Sequence, residues 1–220
     1  MKDPRFSVES LAPWITRLDL VDLSKAQLER FEGYFEKIAD KCIGLGYGNH
    51  EETIQRHTER DIFSDILQII KKSRPEQKLS LGIYGWLKLL FYNSSEEQPE
   101  HCRIITINTH HGFTGGRLKG AKSLNMQRWL WTHAADLVVF GHSHNEDAQS
   151  EAVEYVDRND NICLTVRKGM YCGTFLKGVN DGANTYSEAK GYLPLPVGSI
   201  PMAVIKPAHW QQHERIKIML

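Results

Sequence analysis

Three short strings carry the groups that could do chemistry: Gly48-Asn49-His50-Glu51, Thr109-His110-His111-Gly112 and Gly141-His142-Ser143-His144. Each sets imidazole or amide side chains in a tight loop directly behind an apolar run, which is where an α/β sheet presents ligands for metal chemistry. Neutral imidazole and amide groups bind a cation without adding charge. Each string also has a structural alternative. Gly-Asn-His-Glu alone reads equally well as a helix N-terminus with a solvent-facing imidazole, and a Gly-His-x-His behind β-branched residues arises by chance. The three together, each behind a predicted strand, are what point to a metal site.

The elements that must position these loops alternate between helical and extended periodicity. Ser24 and Gln27 form a capping-box pattern ahead of Leu28, Phe31, Tyr34, Phe35 and Ile38, which predicts an amphipathic helix ending near Asp40. Cys42 to Tyr47 reads as a short strand that delivers the first loop, and residues 52–72 read as a helix buried through Ile62, Phe63, Ile66, Leu67, Ile69 and Ile70. Residues 79–92 read as one long strand or a hairpin bent at Gly82 or Gly85, with a polar turn over 93–100. Arg103 to Asn108 is a β-branched strand ending at the His pair, Gly115-Gly116 starts a loop, and a helix is predicted over 124–134. Asp136 to Phe140 is a buried strand feeding Gly141. Beyond it the pattern is all extended, over 152–157, 162–168, 173–177, 202–206 and 215–220.

Composition narrows the classes. A chain of 220 residues, 41% hydrophobic, can bury one substantial core and reads as a single domain over 1–220. Its formal net charge is zero, so no global positive field holds it on nucleic acid or an anionic membrane, and any polyanion contact must be local. Cys42, Cys102, Cys163 and Cys172 form no Cys-x-x-Cys pair and read as buried reduced thiols. Met1-Lys2-Asp3-Pro4-Arg5 does not read as a hydrophobic signal region, and no apolar run reaches bilayer-spanning length. A soluble cytoplasmic protein without a membrane partner is expected. His57, His101, His133, His209 and His213 lack motif context and read as packed or surface histidines, and Trp129 and Trp131 as packing. Arg117, Lys119, Lys122 and Arg128 could meet a substrate phosphate, although a solvated face explains them more simply.

In this order the three strings resemble the C-terminal part of the calcineurin-like metallophosphoesterase signature. The likeness extends through Tyr171-Cys172-Gly173-Thr174-Phe175-Leu176, Asn184-Thr185-Tyr186 and Pro194-Leu195-Pro196-Val197-Gly198, a tail similar to phage, prophage and archaeal members. It covers most of the chain from about Lys41 onward. The resemblance implies an α/β sandwich and metal-dependent hydrolysis of a phosphate ester, with Mn2+ the expected cation and Zn2+ or Fe as alternatives. A phosphodiester, in nucleic acid, is the substrate suggested by analogy alone. By position, Asn49, His111 and His142 match ligands of the second metal and His144 a ligand of the first. His50 matches the histidine that contacts the phosphoryl group and protonates the leaving oxygen. His111 stands directly before Gly112, where the family places its ligand. His110 remains open between ligand and a residue that orients a neighbour.

The family's opening motifs, Asp-x-His and Gly-Asp-x-x-Asp, have no counterpart here. Asp19-Leu20-Val21-Asp22 has the aspartate spacing, but Leu18 stands where the Gly belongs and no strand precedes it. The consequence is electrostatic. Two dications at ~4 Å and an effective dielectric of ~20 repel by on the order of 16 kcal/mol before ligands and water are counted. A bridging carboxylate normally offsets this, and the motif that would supply it is missing. A segment like Asp3-Pro4-Arg5-Phe6 comes shortly after the second motif in such proteins, so the start looks internal. A late start codon, a split gene or a decayed enzyme are the three explanations. The expected partners are therefore a complementing N-terminal fragment or a second copy, and the rival function is an inactive remnant that binds metal or serves as an interaction module.

Overall fold

A computed structural model describes residues 11–75, 78–92, 102–112, 119–179, 185–189, 191, 194, 196–198, 200–208 and 214–220. The expectations for residues 3–6, the turn over 93–100, Gly115-Gly116, Arg117, Asn184, Leu195, His101, His209 and His213 fall outside these, as does the Lys119 side chain. The chain forms two compact units, Met1–Gly82 with Lys177–Leu193, and Ile83–Leu176 with Pro194–Leu220.

In the first unit, helix α1 spans Leu23–Phe35, and its N-cap is Asp22 rather than a Ser24/Gln27 box. The Asp22 carboxylate accepts the Lys25 N–H at 3.0 Å and pairs with Arg60 at 3.2 Å, so it outcompetes the hydroxyl as first acceptor. Asp19 likewise accepts the Thr16 N–H at 2.7 Å, and that bond with the Thr16 hydroxyl holds its pKa below the ordinary carboxylate value. Both aspartates thus serve the local backbone. The helix predicted over 52–72 is two helices, α2 at Asn49–Thr58 and α3 at Ile62–Lys71. Glu59 breaks it in the left-handed region at φ 58°, and Asp61 caps α3 by accepting the Ser64 N–H at 3.0 Å. A second capping site overrides continuous apolar periodicity here.

Only Leu45–Gly46 of the first expected strand pairs. This strand, β1, lies parallel to β2 at Ser80–Gly82. Ile62, Phe63, Ile69, Ile70, Ala39 and Leu79 are buried, and Tyr47 meets Phe63 edge-on with centroids 5.2 Å apart. A four-residue helix, α5, spans Tyr186–Ala189.

The second unit is a mixed five-stranded sheet in the order β3-β4-β5-β7-β6. Strands β3 (Tyr84–Tyr92) and β4 (Cys102–His110) pair antiparallel along their whole length, and the chain bends ahead of β3 at Gly82, φ 65°. Strands β4, β5 (Leu137–Phe140) and β7 (Ile162–Tyr171) run parallel, and β6 (Asp147–Val156) closes the edge antiparallel to β7. β6 begins earlier than expected at Ala152, and β7 runs past Lys168. Register with the partner carries Gln149 and Ser150 into the ladder although their own pattern is not extended.

Helix α4, Lys119–Thr132, covers one face of this sheet, packing Met126 and Leu130 on Val138, Phe140 and Tyr171. The other face, Ile105, Ile107, Leu137, Val139 and Met170, is covered by the hairpin of β8 (Met202–Ile205) and β9 (Ile216–Met219) through Ala203, Ile205, Ile216 and Ile218. The two faces follow strand parity, with Leu137 and Val139 pointing one way and Val138 and Phe140 the other. The unit is therefore a general α/β layer structure. Residues 173–177 contribute only a bridge from Thr174 to Val197, not the expected strand. The four cysteines are half-buried and unpaired, and burial pushes the Cys172 thiol pKa up. No helix among the described residues is long and apolar enough to cross a membrane.

Candidate metal centre

Strands β4 and β5 are adjacent and parallel, so the loops that leave their C-terminal ends lie side by side. Thr109 and His110 end β4, and His111-Gly112 and Gly141-His142-Ser143-His144 occupy these loops. The contact is close: a Cβ on Gly112, whose φ is +102°, would stand 2.5 Å from the Gly141 carbonyl oxygen and 3.1 Å from His142 Cβ. Only glycine allows that approach.

His111 and His142 face each other across this contact, with ring centroids 4.8 Å apart and planes tilted by 58°. Metal–nitrogen bonds of about 2.1 Å plus about 1.1 Å from nitrogen to ring centre put two imidazoles on one octahedral or tetrahedral ion roughly 4.5–5.2 Å apart. The pair fits that interval. His142 and His144 are 6.4 Å apart, outside it, and suit two ions better than neighbouring positions on one. Both adopt left-handed backbone, φ 59° and 57°. Two such non-glycine residues within three positions cost about 1–3 kcal/mol each and persist only where the surroundings over-determine them.

Several surrounding groups hold this loop. The Ser143 N–H donates to the Gly141 carbonyl at 2.6 Å, and Lys122 Nζ donates to the Ser143 carbonyl at 2.7 Å. Thr174 Oγ1 lies 3.3 Å from His144 Nδ1 while accepting the Leu176 N–H at 3.0 Å, which orients the imidazole. Asn145 is buried at 6% exposure, and its Oδ1 has no hydrogen-bond partner among the described residues. A buried orphan amide oxygen beside His144 is a donor suited to a cation.

His110 is held by close partners on several sides. Its ring packs against Trp129, Phe140 and Tyr84 at 5.1, 5.6 and 6.1 Å. Its Nδ1 accepts the Gly112 N–H at 2.7 Å, and its carbonyl accepts the Gly141 N–H at 3.2 Å. The proton therefore sits on Nε2. Burial, reinforced by His133, lowers the pKa. His110 clasps both loops and orients its neighbours.

Asn49 and His50 belong to the first unit. Gly48 is the N-cap of α2, with its N–H bonded to Glu51 Oε2 at 3.1 Å; Asn49 is the first helical residue and half-buried, and His50 is exposed. That is the helix-start geometry named as the structural alternative for this string. Among the described residues, no three His, Cys, Asp or Glu side chains come together to hold a metal ion. Within the second unit the structure brings His111 and His142 together, with His144 adjoining.

Lys122 and Thr174 reach the site without a local sequence signal, since Thr174 stands 30 positions from His144 and Lys122 stands 21 from Ser143. Of the predicted structural histidines, His133 stacks on Trp129 at 4.1 Å, and His57 is exposed. Neither a protein family, a curated protein nor a solved structure matches this chain.

Proposed function

We propose that this chain is a divalent-metal-dependent phosphoesterase of the calcineurin-like type, with the α/β sandwich of that family, acting on a phosphate ester of the phosphodiester class. The observation that carries this reading is the His111–His142 pair, whose 4.8 Å spacing suits one ion, in two loops that meet at a glycine contact, with His142 in left-handed backbone. In this reading His111 and His142 would hold one cation, Mn2+ in preference to Zn2+ or Fe, and His144 would hold another. A bound cation of this kind supplies charge neutralisation of the phosphoryl oxygens and an activated water. The resemblance alone would give His50 the contact to the phosphoryl group and the proton for the leaving oxygen.

Mn2+ titration followed by electron paramagnetic resonance, with bis(p-nitrophenyl) phosphate as substrate, tests the proposal. One tight site is expected, lost in His111→Ala and His142→Ala, with slow turnover that disappears in the same variants. Unchanged Mn2+ affinity in the double variant would remove the basis for the assignment. The His111–His142 pair, which offers two imidazoles to a single ion, favours a second reading, a one-ion binding or interaction module. Tight Mn2+ binding with no turnover would select it.

A further inference from the structure

We infer that Lys122 is a positioning residue for the Gly141-His142-Ser143-His144 loop, holding His144 in its left-handed conformation through the Ser143 carbonyl. The inference rests on the metal-site reading only for its effect on cation binding.

Lys122 lies in the first turn of α4 and is gripped at both ends. Its carbonyl accepts the Tyr171 hydroxyl at 2.9 Å, which ties it to the last residue of β7. Its ammonium donates to the Ser143 carbonyl at 2.7 Å. The half-buried chain therefore spans helix, sheet and loop, and its ammonium is held by a backbone carbonyl rather than standing on a solvated face.

The mechanical consequence lies in one peptide group. The Ser143 carbonyl and the His144 N–H share a plane, and rotation of that plane changes ψ of Ser143 and φ of His144 together. Left-handed backbone disfavours a residue with a Cβ, so His144 gains by turning the peptide over, which would carry its φ from 57° to negative values. A charge-assisted bond to the Ser143 carbonyl opposes that turn, because the flipped oxygen would point away from Lys122. On the other side of the loop, Ser143 N–H is already committed to Gly141. The Lys122 bond thus favours one of two peptide orientations, and with it the direction in which the His144 ring leaves the backbone towards Thr174.

The test compares Lys122→Met, Lys122→Arg and Tyr171→Phe in the full chain. The backbone of His144 is read by its 13Cα shift and one-bond Cα–Hα coupling, which report the sign of φ without any metal. Mn2+ affinity is read separately by electron paramagnetic resonance. Lys122→Met should lose the positive-φ signature and weaken Mn2+ binding by roughly 10–100-fold, the usual range for groups that orient ligands. Lys122→Arg should restore both, and Tyr171→Phe should shift both part of the way. A His144 signature unchanged in Lys122→Met would overturn the inference, whatever happens to metal. If the wild-type chain binds no Mn2+, the metal-site reading fails while the backbone measurement still decides the role of Lys122. Should Lys122→Met not fold, Tyr171→Phe carries the test, and an unshifted His144 in that folded variant would overturn the inference.

Discussion

The Trp129 indole N–H donates to Asn108 Oδ1 at 2.7 Å, and through this bond α4 is keyed to the centre of the sheet. Asn108 is fully buried, and its Nδ2 donates to the Gly85 carbonyl at 3.0 Å, so one amide joins α4, β4 and β3. Removing a partner leaves a buried polar atom without a bond. Asn108→Leu and Trp129→Phe should each destabilise the second unit by about 1–3 kcal/mol. The double variant should cost less than the sum of the two, because the bond can be lost only once. Urea unfolding of the four proteins measures this, and additive losses would show that the bond contributes nothing specific.

His110 should be replaceable by Asn but not by Ala. An Asn side chain places an oxygen near the position of Nδ1, where the Gly112 N–H is accepted at 2.7 Å. His110→Ala deletes that acceptor and opens a cavity among Trp129, Phe140 and Tyr84. Hydrogen exchange at the Gly112 amide should accelerate strongly in His110→Ala and little in His110→Asn. Similar exchange in both variants would argue that the ring only fills space.

Gly112→Ala and Gly120→Ala should have opposite signs. A Cβ at Gly112 meets the Gly141 carbonyl at 2.5 Å in a backbone region that L side chains avoid, so separation of the two loops and a loss of about 1–3 kcal/mol are expected. At Gly120, in α4, nothing lies within 4 Å of the added methyl, and helix propensity should contribute a gain of about 0.5–1 kcal/mol. Thermal denaturation distinguishes them. A stabilising Gly112→Ala would contradict the close contact.

Tyr171 gives the alkaline limit of stability. Burial, with Asp147 adding, pushes its phenol up to about 12 from an ordinary 10.0, so the folded state favours the neutral ring. The unfolded chain ionises first. The contribution is therefore complete below pH 10 and is lost as pH rises towards 12, with a slope of at most ~1.4 kcal/mol per pH unit for one proton. The stability difference between the wild type and Tyr171→Phe should be constant up to about pH 10 and shift against the wild type above it. A difference independent of pH through this interval would show that the hydroxyl is not protected in the fold.

Much of the second unit was legible from residue type and spacing. The β-branched runs ending at His110 and Phe140 are strands, and parity along β4 even carries the distinction between the two histidines. Thr106, Asn108 and His110 share the face towards α4, while His111 comes one residue later and leaves the strand. Boundaries were less legible where a competing cap or a partner strand decided them, as at Asp22, Asp61 and the start of β6. These are choices between nearby hydrogen-bond acceptors or between registers, and apolar periodicity does not weigh them.

By itself the sequence determined which residue types stand behind which strands, because strand period and loop composition are local properties of a few consecutive residues. Only the tertiary structure decided that His111 meets His142 across a glycine contact, that His110 clasps the two loops, and that Lys122 and Thr174 hold the second of them. Those relationships join residues tens of positions apart. They exist because β4, β5 and β7 lie side by side, and the order of strands in a sheet is set by the packing of its two faces, which no short stretch of sequence contains.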